Sequence, residues 1–155
     1  MIQLKVRNVD EFSVSNSFYL DVYSKMNKYQ TNGRSLCTFT SQFTGKSKTV
    51  SLNTGYGDFN SRYVQYGVFT NRDADQENLL TGIIQLGTTD FPLGFYDVTI
   101  YNNTDNTNLD PTGLPVIWNG LMNLTGFSSA TQSAKYTEYT NNDADTESIY
   151  LTNPL

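Results

Sequence analysis

The sequence predicts an all-β protein, a single antiparallel β-sandwich of about eight strands occupying residues 1–155 as one domain. Three observations predict it. Apolar side chains recur with a period of two along most of the chain, as in strands with one wet face and one dry face. Gly, Asn, Asp, Thr and Pro separate these runs at near-regular intervals and supply the turns. The bulky residues are chiefly 11 Tyr and 9 Phe, accompanied by many Thr. That mixture suits pleated surfaces better than helix packing, which draws on Ala, Leu, Glu and Lys.

The elements follow in order. Ile2, Leu4 and Val6 alternate with Gln3, Lys5 and Arg7, and Phe18, Leu20 and Val22 alternate with Tyr19, Asp21 and Tyr23. Asn32-Gly33 favours a tight hairpin turn, because both residues tolerate positive φ. Residues 36–43 and 48–52 read as strands joined by Thr44-Gly45-Lys46-Ser47, and 53–61 reads as a glycine-containing loop. Residues 63–70 form a longer strand with Val64, Tyr66 and Val68 on one face. An acidic loop at 71–78 leads to a strand over 79–86. In the clearest strand, 95–101, Tyr96, Val98 and Ile100 face one way and Phe95, Asp97, Thr99 and Tyr101 the other. A polar loop over 102–114 precedes a strand at 116–124, and 136–140 and 148–152 complete the set. The best helix candidate, 73–80, is short and polar. The strand count and spacing fit an Ig-like or jelly-roll-like arrangement.

A chain of 155 residues is long enough to bury one core. Charged residues are only 16% of it and aromatics are spread throughout, which argues against disorder. The formal charge of −5 argues against a general nucleic-acid binder. Residues 1–50 carry seven Lys/Arg against three Asp/Glu, whereas 51–155 carry three against twelve. Either these are two ordinary solvated surfaces, or the molecule has oppositely charged ends suited to docking. Cys37 is the single cysteine, so no internal disulfide forms, and its alternating apolar setting reads as a small buried hydrophobe. No apolar run approaches membrane-spanning length and the first residues lack a signal-peptide core, which predicts a chain that is soluble as made.

One internal echo is present. Residues 69–79 and 139–149 share the pattern aromatic-Thr-Asn-x-Asp-Ala-Asp-x-Glu-x-aliphatic. A repeated loop solution is the economical reading. The alternating carboxylates Asp73, Asp75 and Glu77, and likewise Asp143, Asp145 and Glu147, are the only candidates for a hard cation such as Ca²⁺. Neither copy has the glycine or the twelfth-position Glu of an EF-hand, and acidic solvated turns are the commoner explanation.

Catalysis has little support. The chain has no histidine, which removes the usual general base near neutral pH and every Ser-His or Cys-His arrangement. Gly55-Tyr56-Gly57 lacks the third glycine of a dinucleotide loop. Asp58, Asp90, Asp97 and Glu138 are candidates for a glycosidase-type carboxylate pair by residue type alone. The reading is therefore no enzyme, with no cofactor implied. The aromatic residues invite a binding role instead, since exposed rings stack on sugars or fill protein interfaces while buried ones pair across strands. Tyr96, Tyr101, Trp118, Tyr136 and Tyr139 are the interface candidates.

The stretch Phe91-Pro92-Leu93-Gly94-Phe95-Tyr96-Asp97-Val98-Thr99-Ile100-Tyr101 is followed by Thr107-Asn108-Leu109-Asp110-Pro111 and then by Val116-Ile117-Trp118-Asn119-Gly120-Leu121-Met122-Asn123-Leu124. Together these segments resemble small β-sandwich virion proteins from the structural modules of tailed bacteriophages, in particular the marine and crAss-like groups. Thr44-Gly45-Lys46 and Asn60-Ser61-Arg62-Tyr63 are similar but looser. The resemblance implies a virion structural protein assembled in the host cytoplasm, first of all a capsid decoration or cement protein. Its implied partners are the major capsid protein or other virion proteins, or further copies of itself, and neither nucleic acid nor a membrane. A neck, tail or fibre-attachment component, or a carbohydrate- or receptor-binding module, is the alternative.

Overall fold

The computed structural model describes residues 1–7, 13–22, 25, 35–54 and 63–127. They form eight strands: Ile2–Arg7 (β1), Val14–Leu20 (β2), Ser35–Ser41 (β3), Ser47–Thr54 (β4), Val64–Asn71 (β5), Ile83–Gln85 (β6), Gly94–Tyr101 (β7) and Val116–Phe127 (β8). The helix candidate at 73–80 is a single 3-10 turn, Ala74–Gln76. Among the described residues no helix is long and apolar enough to cross a membrane.

The protein is all-β, with two sheets packed together. The larger sheet has the order β1-β8-β7-β3-β4, and the smaller contains β2, β5 and β6. Strand β4 belongs to both, because its first part pairs with β3 and its end, at Asn53 and Thr54, crosses to β5. Between the sheets lie the dry faces that the alternation predicts. Ile2, Leu4 and Val6 of β1, Val64, Tyr66 and Val68 of β5, and Tyr96, Val98 and Ile100 of β7 are all buried in one cluster with Phe39, Val50, Met122 and Leu124. Cys37 lies in the same cluster, and burial pushes its thiol pKa well up.

The pairing is not purely antiparallel, which corrects the expectation. Strands β1 and β8 run parallel, with Ile2 opposite Met122 and Lys5 opposite Thr125, and β5 and β6 also run parallel. Neither pair is joined by a short hairpin, so turn geometry does not dictate direction. The predicted strand over 79–86 shrinks to Ile83–Gln85. The chain first turns through residues 79–82, where Gly82 takes φ 86°, and only then enters the sheet. Phe43, expected at the end of a strand, lies in the β3–β4 turn. The expected strands at 136–140 and 148–152 and the turn at Asn32-Gly33 lie outside the described residues.

The first and last strands of the hydrogen-bonded path, β1 and β2, meet at one corner. No backbone ladder joins them there; the side chain of Asn16 bonds to Lys5.

Candidate interaction surface

The outward face of the larger sheet can be read from its register. Residues with Cα atoms opposite one another share a face, so β8, β7, β3 and β4 align in rows. One row is Leu121–Asp97–Thr40–Ser47 and the next is Asn119–Thr99–Thr38–Thr49; a third, Val116–Tyr101–Leu36–Ser51, is covered at its β3–β4 end, where Leu36 and Ser51 are buried. At the near end Phe95 stands opposite Asn123, and Gln42 N–H donates to the Phe95 carbonyl at 3.0 Å.

The two halves of this face differ in chemistry. Over β3 and β4 it is a hydroxyl ladder, with Thr38 and Thr49 joined through Oγ1 at 2.8 Å and Thr40 and Ser47 joined at 2.8 Å. Over β7 and β8 it carries apolar side chains in the open. Phe95 is 53% exposed, Val116 49% and Leu121 44%. Phe43, at the tip of the β3–β4 turn, is 87% exposed, and Leu93 projects just before β7. Asp97 sits between Leu121 and Thr40 and accepts from Gln42 Nε2 at 2.9 Å.

Stiff elements hold this surface. The β3–β4 turn is tied to the loop before β7 by Thr44 Oγ1 donating to the Asp90 carbonyl at 2.8 Å and by a Lys46–Asp90 ion pair at 2.7 Å. After β7, the loop over 102–114 is a chain of side-chain-bonded turns. Asp105 accepts from the Thr107 N–H and hydroxyl, and Asp110 is held by the Thr112 hydroxyl and N–H. These bonds hold both carboxyl groups below their ordinary pKa, because they favour the ionised form.

The predicted interface residues divide. Tyr96 is fully buried, which corrects its assignment to an interface. It shares the dry face of β7 with Val98 and Ile100, and its hydroxyl donates to the Pro92 carbonyl at 2.6 Å. Tyr101 lies on the outward face, half-buried. Trp118 is partly buried against the core, its indole folded over Gly120 so closely that a Cβ there would lie 2.3 Å from the ring. Tyr136 and Tyr139 lie outside the described residues. The exposed apolar set Phe95, Val116, Leu121 and Phe43 was not singled out from sequence, although the alternation already placed Phe95 on the face opposite Tyr96.

Asp73, Asp75 and Glu77 do not converge, which corrects their reading as cation ligands. Asp73 caps the 3-10 turn by accepting from Asp75 N–H at 3.0 Å. Glu77 Oε1 turns inward to Lys48 Nζ and Gln85 N–H, each at 2.8 Å. Lys48 Nζ also sits 4.6 Å from the centre of the Phe91 ring. Lys48, Gln85, Thr88, Thr89, Asp90 and Phe91 line an open groove of about 360 Å³. Among the described residues no group of three or more His, Cys, Asp or Glu side chains is placed to hold a metal. Asp143, Asp145 and Glu147 lie outside those residues, as do Asp58 and Glu138. Asp90 and Asp97, the other carboxylates considered for catalysis, are engaged with Lys46 and Gln42 respectively.

Comparison with family models, with curated proteins and with solved structures finds no match for the chain.

Proposed function

We propose that this protein is a structural component of a tailed-phage particle, a decoration or cement protein that binds the capsid shell by protein–protein contact and catalyses no reaction. The observation that carries the proposal is the exposed apolar set Phe95, Leu121 and Val116 on a β-sheet face whose neighbouring strands are locked by cross-strand hydroxyl bonds. Water-exposed apolar side chains on a rigid surface gain free energy when a partner covers them, and they lose little conformational entropy in doing so. The sequence resemblance to virion proteins supplies the class of partner, the major capsid protein or another particle protein. Copies repeated over a shell turn modest contacts into stable attachment through multivalency.

Quantitative mass spectrometry of purified particles tests this reading. Hundreds of copies per particle are expected of a shell-binding protein, and about a dozen of a neck, tail or fibre-attachment component. Absence from particles rejects both.

One observation favours a second reading. The exposed Phe95 is paired across the strands with Asn123, and the Gln42 side chain bonds to Asp97 on the same face, an apolar platform among polar groups of the sort that stacks on sugars. In that reading the same face binds a carbohydrate receptor, and a glycan array without hits rejects it.

A further inference from the structure

Strand β2 pairs with β5 in a register that sets Val14 opposite Thr70 and Leu20 opposite Val64. The backbone of β5 fixes which β2 residues take part in the ladder. Phe69 N–H donates to the Gly82 carbonyl and Asn71 C=O accepts from Leu86 N–H, so the odd-numbered residues of β5 turn their backbone groups away from β2. In an antiparallel pair, bonded and non-bonded positions alternate. The bonded positions on β2 are therefore Val14, Asn16, Phe18 and Leu20. The backbone N–H and C=O groups of Ser15, Ser17 and Tyr19 point out from the edge of the sheet, and the described residues place no strand against them.

Edges of this kind are normally blunted by a charge, a proline or a bulge. Strand β2, Val-Ser-Asn-Ser-Phe-Tyr-Leu, has no charge and no proline, and its register with β5 runs unbroken. Its side chains at the three edge positions are exposed, with Tyr19 60% accessible.

We propose that this edge pairs with the same edge of a second copy of the chain, across a two-fold axis at Ser17. The sequence is self-complementary in that arrangement. Ser17 faces the other copy's Ser17, each small Ser15 faces a large Tyr19, and six backbone hydrogen bonds form from groups that no described strand pairs. The nearest charge along the strand, Asp21, lies four residues from the axis, so the two copies of it stand about 27 Å apart, beyond the screening length at physiological salt. A partner strand bearing charge gains nothing from an uncharged edge, whereas a second copy meets no like charge on it. Three residue pairs make a small interface, so the dimer is weak and concentration-dependent. This inference does not rest on the particle reading and stands or falls without it.

Sedimentation velocity of the full chain over a range of concentrations tests the pairing, together with two variants. Ser17→Pro removes the central edge N–H at a position where the β2–β5 ladder loses nothing. Ser17→Lys sets two ammonium groups against each other across the axis while leaving the backbone free, and it serves where the proline variant fails to fold. The expected result is a reversible monomer–dimer equilibrium in the wild type that weakens by about tenfold or more in Ser17→Lys. Slowed amide exchange at Ser15, Ser17 and Tyr19 should accompany dimer formation. A wild type that stays monomeric throughout, or a dimer that survives Ser17→Lys unchanged, overturns the proposal.

Discussion

The side-chain amide of Asn16 bonds both backbone groups of Lys5: Oδ1 accepts from the Lys5 N–H at 2.7 Å, and Nδ2 donates to the Lys5 carbonyl at 3.1 Å. A single side chain thus replaces one rung of a ladder and ties together the two ends of the strand path. Asn16 Nδ2 also lies 3.1 Å from the Val14 carbonyl and from Thr70 Oγ1, and Thr70 itself donates to the Lys5 carbonyl. Asn16 is almost fully buried, so no water replaces these partners when it is removed. Asn16→Ala should cost about 2 kcal/mol, from the range for leaving a buried polar group unpaired. Urea denaturation checks this, and a loss below about 0.5 kcal/mol would show that the corner is not held by this residue.

The two lysines of β4 and its preceding turn should behave differently. The Lys46–Asp90 pair is more than half exposed on both sides, whereas Lys48 and Glu77 are 16% and 23% exposed. Exposed pairs contribute little, while breaking a shielded pair strands its partner. Lys46→Ala should change stability by less than about 0.5 kcal/mol, and Lys48→Ala should lower it by about 1–3 kcal/mol. Thermal melts of both variants at low and high salt make the comparison.

Among the described residues, Ser51 Oγ is buried without a hydrogen-bond partner. Its hydroxyl gave up water on folding, and no described group replaces that water. Ser51→Ala should therefore be neutral or stabilising, by up to about 1 kcal/mol, against the usual trend for core positions. A rise or no change in denaturation midpoint is expected, and a drop comparable to that of Asn16→Ala would contradict it.

Alkaline pH should unfold the protein through its core tyrosines. Burial pushes the Tyr66 and Tyr96 hydroxyls up from 10.0 to about 12, against the smaller opposing effect of bonds to Ser35 and Ser41. Between those values the unfolded chain has released protons that the folded chain still holds, so stability falls as pH rises. This contribution is intact below pH 10 and is lost on the way to about pH 12. Circular dichroism and tyrosinate absorbance should change together in that window, and Tyr66→Phe should move the transition to higher pH.

What the sequence made legible was local and periodic. The dry faces of β1, β5 and β7 follow from alternation of Val, Ile, Leu and Tyr, because a strand's side-chain period is two wherever it lies. The same alternation contained the correction to Tyr96: a tyrosine in step with Val98 and Ile100 faces the core with them, and the exposed ring is its neighbour Phe95. Parallel pairing of β1 with β8 was not legible, since it joins opposite ends of the described chain and no turn announces it. Leu79 and Leu80 looked like the start of a strand, but the chain turns at Gly82 before pairing, a backbone event that hydrophobicity does not report. The carboxylates at 73, 75 and 77 looked alike in sequence. Their separate tasks, a cap for Asp73 and an ion pair for Glu77, depend on Lys48 and Gln85 arriving from other strands.

The account rests on the outward face of β7 and β8 being a contact surface. If the proposed function holds, co-sedimentation of purified protein with phage particles that lack it tests this most directly when wild type is compared with a Phe95→Glu, Leu121→Glu double variant. Both positions are open to solvent, so the variant should keep the wild-type melting temperature within a few degrees. The account predicts that wild type pellets with the particles and the folded variant stays in the supernatant. A variant that pellets as fully as wild type would contradict it.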